Sequence, residues 1–301
     1  MKVLTGKAYS FLQRGKRDNQ EDARWPERDA VGEGQHYFLV CDGVGGSEAG
    51  EVASLTVCRS FAKTLRHADL NKEFSVSDFG KALDNAYDSL DEKGRSTHQE
   101  DMATTLTLAV FHGGGCMLAH IGDSRIYQIR PGVGIVYRSD DHSLVNEMVH
   151  SGIISPEDAV DHPQSNVITR CMRPVEDDEN RSDATVAYIR DIKTGDCFVL
   201  CTDGVYSCVD DDELEEIILN ADSPETAAHV LAERCRDSHD NNTAFIIPVK
   251  ESDAIHVPSM ACNDSNSTCI SSCNNMITEV ASEKKPATKN KFIRMIKQIF
   301  Q

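Results

Sequence analysis

No stretch of this 301-residue chain approaches the ~18 consecutive apolar residues that a bilayer-spanning helix needs, which excludes such a span. Met1–Lys7 contains no continuous apolar segment, so a secretory signal is not expected and the cytosol is the expected compartment. Positive charge is scarce: 31 Lys and Arg face 49 Asp and Glu, for a formal net charge of −18. A surface of that sign repels phosphate backbones, so no nucleic-acid partner is expected. The eleven cysteines contain no CxxC pair of the zinc-site kind, and none has an arginine six positions on, which excludes the Cys-x5-Arg loop of thiol-based phosphatases. Most of them, including Cys41, Cys58, Cys116, Cys197 and Cys201, sit inside apolar runs, where a reduced thiol behaves as a small hydrophobe.

With 40% apolar and 27% charged residues, the chain has the composition of an ordinary globular protein with a sizeable core. Residues 1–249 read as dense secondary structure. Tyr37–Cys41 is a short apolar strand running into Asp42-Gly43-Val44-Gly45-Gly46. Helical periodicity follows over about Ser47–Leu65 and Ser77–Lys93, and then short strands at Thr104–His112, Cys116–Ile121, Arg125–Ile129 and Ile135–Arg138, separated by Gly-rich turns. An irregular polar stretch, with one short helix near Ser143–His150, leads to the strand Phe198–Cys201 and to Asp203-Gly204. Helices over about Asp210–Leu219 and Pro224–His239 and a closing strand Thr243–Ile247 complete the unit. Strands in succession with helices in pairs predict an α+β fold with antiparallel sheets. Residues 250–283 are polar and read as a flexible linker. Residues 284–301 carry six basic and no acidic side chains; this +6, taken from the −18 total, leaves −24 on the rest. Phe292, Met295, Ile296, Ile299 and Phe300 fall at helical spacing there, which suits a basic amphipathic tail on an anionic membrane or a partner, folded back on its own acidic body, or without structure.

Carboxylates stand where water should be hard to reach. Asp42 and Asp203 follow apolar strands and precede glycine, Asp240 comes just before a strand, Glu21-Asp22 precedes an apolar run, and Asp123 lies in a strand-to-strand turn. A carboxylate at a core-strand end loses hydration and needs compensation, and several together repel unless cations intervene. Hard divalent ions such as Mg²⁺ or Mn²⁺, which take oxygen ligands, are the natural partners. Each glycine allows positive φ or close backbone approach, so that a carbonyl can join the ligands. Taken singly, each aspartate reads more readily as a turn former or a solvated charge than as a ligand; only the combination points to a metal site.

The ordered blocks Gly15-Lys16-Arg17-Asp18-Asn19-Gln20-Glu21-Asp22, Cys41-Asp42-Gly43-Val44-Gly45-Gly46, Met102-Ala103-Thr104-Thr105, Gly122-Asp123-Ser124-Arg125, Asp141-His142-Ser143, Thr202-Asp203-Gly204 and Asp240-Asn241-Asn242-Thr243 resemble those of the metal-dependent (type 2C, PPM) protein serine/threonine phosphatases, over about residues 6–249. About 143–172 is similar to the flap of bacterial members. The resemblance implies two antiparallel sheets in a sandwich flanked by antiparallel helices (αββα), with a binuclear Mn²⁺ or Mg²⁺ centre at one end. Asp42 would bridge both ions, Asp203 and Asp240 would serve one, Glu21 and the Gly43 carbonyl the other. Asp22 would hold a metal-bound water, and Asp123 with Asp203 would bind a third ion seen in bacterial relatives. Arg17 would hold the substrate phosphate. Hydroxide between the ions would attack the phosphorus of phosphoserine or phosphothreonine directly. The implied partners are phosphoprotein substrates and a cognate serine/threonine kinase, with the chain a monomer. Where eukaryotic members often have a histidine credited with protonating the leaving oxygen, this chain has Val44, so metal-bound water would be the acid. A catalytically silent module that binds phosphoproteins is the alternative. Arg125 reads as a structural ion-pair partner, and His142 and His162 as ordinary loop residues rather than acid–base groups.

Overall fold

Alternation within the strands builds the layers. In the strand Leu106–His112 (β8), Leu106, Leu108 and Val110 enter one core while Ala109 and Phe111 enter another, because successive side chains leave opposite faces. The strand Cys197–Cys201 (β13) does the same, with Phe198 and Leu200 on one side and Cys197, Val199 and Cys201 on the other. Both faces of these strands are therefore covered. The computed structural model describes residues 2–44, 49–98, 101–159, 162–175 and 180–253, and residues 276–280 by backbone.

The first sheet has the order β11-β10-β13-β14-β2-β4, with β1 also pairing β14: Gly134–Arg138 (β11), Arg125–Arg130 (β10), β13, Asn242–Ser252 (β14), Ala8–Gln13 (β2), Ala30–Val31 (β4) and Val3–Thr5 (β1). The second has the order β15-β12-β9-β8-β5-β3: Met276–Val280 (β15), Ala184–Ile189 (β12), Gly115–Ile121 (β9), β8, Tyr37–Cys41 (β5) and Ala23–Trp25 (β3). Every pairing in them is antiparallel. A small ladder joins Gly43–Val44 (β6) to Ala103–Thr104 (β7).

Three cores separate four layers. Between the sheets, Phe38, Phe111, Phe198 and Phe245 make edge-on ring contacts with centroids 5.2–6.3 Å apart. Outside the second sheet lie the helices Ala49–Leu65 (α1) and Val76–Thr97 (α2); α1 buries Ala53, Val57, Phe61 and Leu65 at four-residue spacing. Outside the first lie Asp211–Asn220 (α6) and Pro224–Arg234 (α7). The expected α+β, αββα architecture is what the chain adopts. After β11, Leu144–His150 (α3) and Pro156–Ala159 (α4) are followed by a return that pairs Met172 with Thr104.

Local signals explain most boundaries and some departures. Ser75 and Asp78 form a reciprocal cap that starts α2 one residue before the expected Ser77. Helix α7 stops at Arg234 instead of His239, because the chain turns there to carry Ser238 and Asp240 into a loop. β14 runs to Ser252, and β15 extends the second sheet along β12 with Ala184 opposite Val280. The last residues of β14 and the whole of β15 lie within the stretch read as a linker, whose polar composition hides edge pairing. Ser47, the expected start of α1, lies outside the described residues, as do Cys262, Cys269, Cys273 and the basic segment 284–301.

The ring cluster between the sheets predicts that Phe111→Ala, which empties a fully buried site, lowers the free energy of unfolding by about 3–5 kcal/mol, as measured by urea denaturation.

Candidate metal centre

The sheets deliver their carboxylates to one end of the sandwich. Strand β5 stops at Asp42, whose backbone is fixed on both sides. Its N–H donates to Thr105 Oγ1 at 2.9 Å, and its carbonyl accepts from Thr104 Oγ1 at 2.7 Å and from the Thr105 N–H at 2.8 Å. Beyond it, close approach governs the glycines. A Cβ on Gly43 would lie 2.5 Å from the Glu21 carbonyl oxygen, and one on Gly50 would lie 2.9 Å from that of Gly43. Bare backbone lets the Glu21 loop, the Gly43 carbonyl and the start of α1 share one small space.

Asp203 opens the short helix Asp203–Tyr206 (α5), which follows β13. A Cβ on Gly204 would lie 1.9 Å from the Asn241 carbonyl oxygen, so only glycine allows α5 to rest on the segment that carries Asp240. Ser238 Oγ donates to the Gly204 carbonyl at 3.2 Å and accepts the Asp240 N–H at 3.1 Å, which joins the same two segments. Gly43 and Gly204 thus serve close approach, and neither is among the positive-φ glycines.

Asn241 binds the third segment. Its Nδ2 donates to the carbonyls of Arg14 at 2.8 Å and Asn19 at 2.9 Å, and its Oδ1 accepts the Glu21 N–H at 2.7 Å. In the sequence this residue's only mark is a small amide directly after Asp240 at the start of a buried strand. The hydroxyls of Thr202 and Thr243 donate to Asp22 Oδ2 at 3.1 and 2.7 Å.

Glu21, Asp22, Asp42, Asp123, Asp203 and Asp240 therefore converge, linked through their electrostatic effects on Asp22, Asp42, Asp123, Asp203 and Glu21. Burial pushes the Asp42 carboxyl well above the usual range, reinforced by Asp22, Asp203 and Asp123. Burial, opposed by the Thr243 hydrogen bond and aided by Asp203, lifts Asp22 to about 8. Burial with Asp203 and Asp141 nearby lifts Asp123 to about 7. Asp203 rises through burial and Asp240, and Glu21 through burial despite Arg17. Burial is the largest cause throughout, and unbalanced negative charge adds to it.

The donor set fits a hard divalent cation. Asp22 Oδ1 and Asp203 Oδ1 are buried oxygens without a hydrogen-bond donor, and every candidate ligand atom is oxygen. Among the described residues no three Asp, Glu, His or Cys side chains close into a ready-made cage. Arg17 sits at the rim with its side chain 54% exposed, and its Nη2 meets Asp240 Oδ2 at 2.6 Å. Asp240 Oδ1 accepts the Asn241 N–H at 2.8 Å, so both oxygens of this carboxylate already have a partner.

Arg125, expected to be an ion-pair partner, is one, and the two histidines make local hydrogen bonds. Arg125 is bidentate on Asp141 at 2.7–3.1 Å and lies 3.7 Å from the Tyr206 ring centroid. His142 accepts the Gly122 N–H at 3.1 Å, contacts Thr185 Oγ1 at 2.9 Å and stacks on His120, and burial lowers its pKa to about 2. His162 Nδ1 accepts the Gln164 N–H at 3.2 Å.

An oxygen-lined acidic centre at the end of an αββα sandwich, with an arginine at its rim, defines a metal-dependent phosphatase. Residues 18–244 match the model of the protein phosphatase 2C family, and the chain belongs to that family, the metal-dependent serine/threonine phosphatases. It is 29% identical over 226 residues to protein phosphatase PhpP of Streptococcus pneumoniae, which covers 73% of this chain and 89% of that protein. The crystal structure of Mycobacterium tuberculosis serine/threonine phosphatase PstP superposes with a TM-score of 0.71 at 29% identity, over 83% of this chain and all of the other. A PstP catalytic domain in complex with two manganese ions gives a TM-score of 0.65 at 27% identity, with 83% of this chain and 100% of the other covered. Nothing here supports a catalytically silent member.

The crowded carboxylates predict a pH signature. Asp22 and Asp123, lifted from 3.8 to about 8 and about 7, keep protons that the unfolded chain releases, so their contribution to stability is lost as pH rises through those values. His142, held neutral, works in the opposite sense below about 6.5, which leaves the window of about 6.5–8.5 to the aspartates. In excess chelator the melting temperature should fall across that window, and Mn²⁺ or Asp123→Asn should flatten the fall, as read by differential scanning fluorimetry.

Proposed function

We propose that this phosphatase hydrolyses phosphoserine and phosphothreonine in proteins with Glu21, Asp42, the Gly43 carbonyl, Asp203 and Asp240 as the ligands of two Mn²⁺ or Mg²⁺ ions, and Asp123 with Asp203 as a site for a third. The observation that carries this reading is the pair of buried acidic oxygens without donors, Asp22 Oδ1 and Asp203 Oδ1, inside a group of mutually repelling carboxylates. Such an ion pair, when bound, supplies a water that ionises near neutral pH and positive charge for the phosphoryl oxygens.

The chain's own residues do the rest. Thr202 and Thr243 hold Asp22 Oδ2, which leaves Oδ1 to accept a hydrogen from the attacking water and aim its lone pair at phosphorus. Arg17 spends one N–H on Asp240 Oδ2, and its remaining donors are free to bind two phosphate oxygens at once. Asp240, with two lone pairs on each oxygen, keeps capacity for a cation alongside Arg17 and the Asn241 N–H. Val44 has no proton to give, so the leaving alkoxide takes its proton from water.

We also assign residues 1–249 as the catalytic unit, with 143–172 as its flap. The cytosol is its compartment, which the eight free thiols among the described residues support. A kinase acting on the same phosphoproteins, a monomeric state, and contact of 284–301 with an anionic membrane or a partner complete the reading. Among the described residues no helix is long and apolar enough to cross a membrane.

A phosphothreonine peptide should be turned over with Mn²⁺ and not with chelator. Asp42→Asn should lower kcat by about 10²–10³-fold, and Asp22→Asn should cost about 10–100-fold in Mn²⁺ affinity or activity. Arg17→Ala should raise KM by about 10-fold or more. Turnover in chelator, or wild-type kcat in Asp42→Asn, contradicts the assignment.

A further inference from the structure

Two thiols meet directly behind the acidic centre. Cys208 is exposed, on the turn between α5 and α6, and Cys235 is fully buried at the end of α7. Their thiols are close enough for Cys208 to raise the Cys235 pKa. Both also converge on one acceptor: the Cys208 N–H donates to the Val205 carbonyl at 3.0 Å, and Cys235 Sγ lies 4.0 Å from the same oxygen. The two residues thus join α5, which begins at Asp203, to the turn that leads from α7 to Asp240.

We propose that Cys208 and Cys235 form an oxidation-sensitive dithiol, converted by hydrogen peroxide into a disulfide that displaces Asp203 and Asp240. Cys208 sulfur attacks one peroxide oxygen and the other leaves as water with the thiol's proton, which gives a sulfenic acid. Cys235 sulfur then displaces the sulfenic hydroxyl, which departs as water with the Cys235 proton. Two thiols lose two electrons, and one peroxide becomes two waters.

Access fixes the order of events. The exposed member meets the oxidant, while Cys235, whose thiol burial pushes up to about 12, waits as the resolving partner. Cys41 and Cys58 are also neighbours, but at 0% and 1% exposure no oxidant reaches them.

Rigid contacts carry the change to the centre. Two thiols on neighbouring segments must close to about 2.05 Å to form the bond. The Cys235 carbonyl accepts the Ser238 N–H at 2.9 Å, and Ser238 Oγ bridges the Gly204 carbonyl and the Asp240 N–H. Gly204 packs so tightly on Asn241 that a Cβ there would lie 1.9 Å from its carbonyl oxygen, so the two segments move together.

The test uses the full-length chain, reduced, freed of reductant and treated with stoichiometric peroxide. Non-reducing peptide mass spectrometry should find Cys208 crosslinked to Cys235, with a loss of about 2 Da that dithiothreitol reverses. Mn²⁺-dependent turnover of a phosphothreonine peptide should fall at least about fivefold and recover with dithiothreitol, while Cys208→Ser resists the same treatment. Cys208 recovered free, overoxidised or paired elsewhere overturns the proposal, and so does a Cys208–Cys235 crosslink that leaves turnover unchanged. The effect on activity rests on the phosphatase reading, but the crosslink does not. Absent turnover in the reduced protein counts against that reading alone, and the crosslink arm still decides the dithiol.

Discussion

Mutual repulsion among six carboxylates at one end of a β-sandwich is the constraint around which this structure is organised. Fully ionised and unscreened, such a cluster opposes folding, and burial deepens the penalty. The protein meets it with several devices. It fixes the backbones of Glu21, Asp42 and Asp240 through neighbouring hydroxyls and an amide, keeps glycine where segments must touch, and offers Arg17 at the solvent side. The remaining imbalance gives the centre its appetite for divalent cations, and the same imbalance makes bound cations effective on a phosphoryl group.

The layers behind the centre supply rigidity. Asp42 and Asp203 lie at or just beyond the ends of strands in opposite sheets, so the packing of Phe38, Phe111, Phe198 and Phe245 between those sheets sets the distance between them. Asp240 precedes β14, which pairs with β13 on one side and with β2 on the other. A site placed on strands that share a core is held more firmly than one on loops, and positioning is most of what phosphoryl transfer asks of a protein.

Much of this was legible in the residues. The succession of short strands separated by glycine-rich turns, with helices in pairs, gave antiparallel sheets, and each proposed ligand was identified by its place near an apolar strand together with the family's order of blocks. What escaped notice was relational. Asn241, Thr202 and Thr243 look like ordinary polar residues until the fold brings the Arg14–Glu21 loop against them. The end of α7 at Arg234 depended on a loop's need to reach Gly204, a contact between segments about thirty residues apart. β15 carries no hydrophobic signature strong enough to mark an edge strand, since backbone pairing with β12 defines it. The pairing of Arg17 with Asp240 is equally invisible to spacing.

Diffraction from manganese-soaked crystals, collected at the metal's absorption edge, tests the central claim most directly. The account predicts at least two anomalous peaks among Glu21, Asp42, Asp203 and Asp240, with Asp42 touching both. An empty acidic centre, or peaks bound only to surface carboxylates elsewhere, would contradict it.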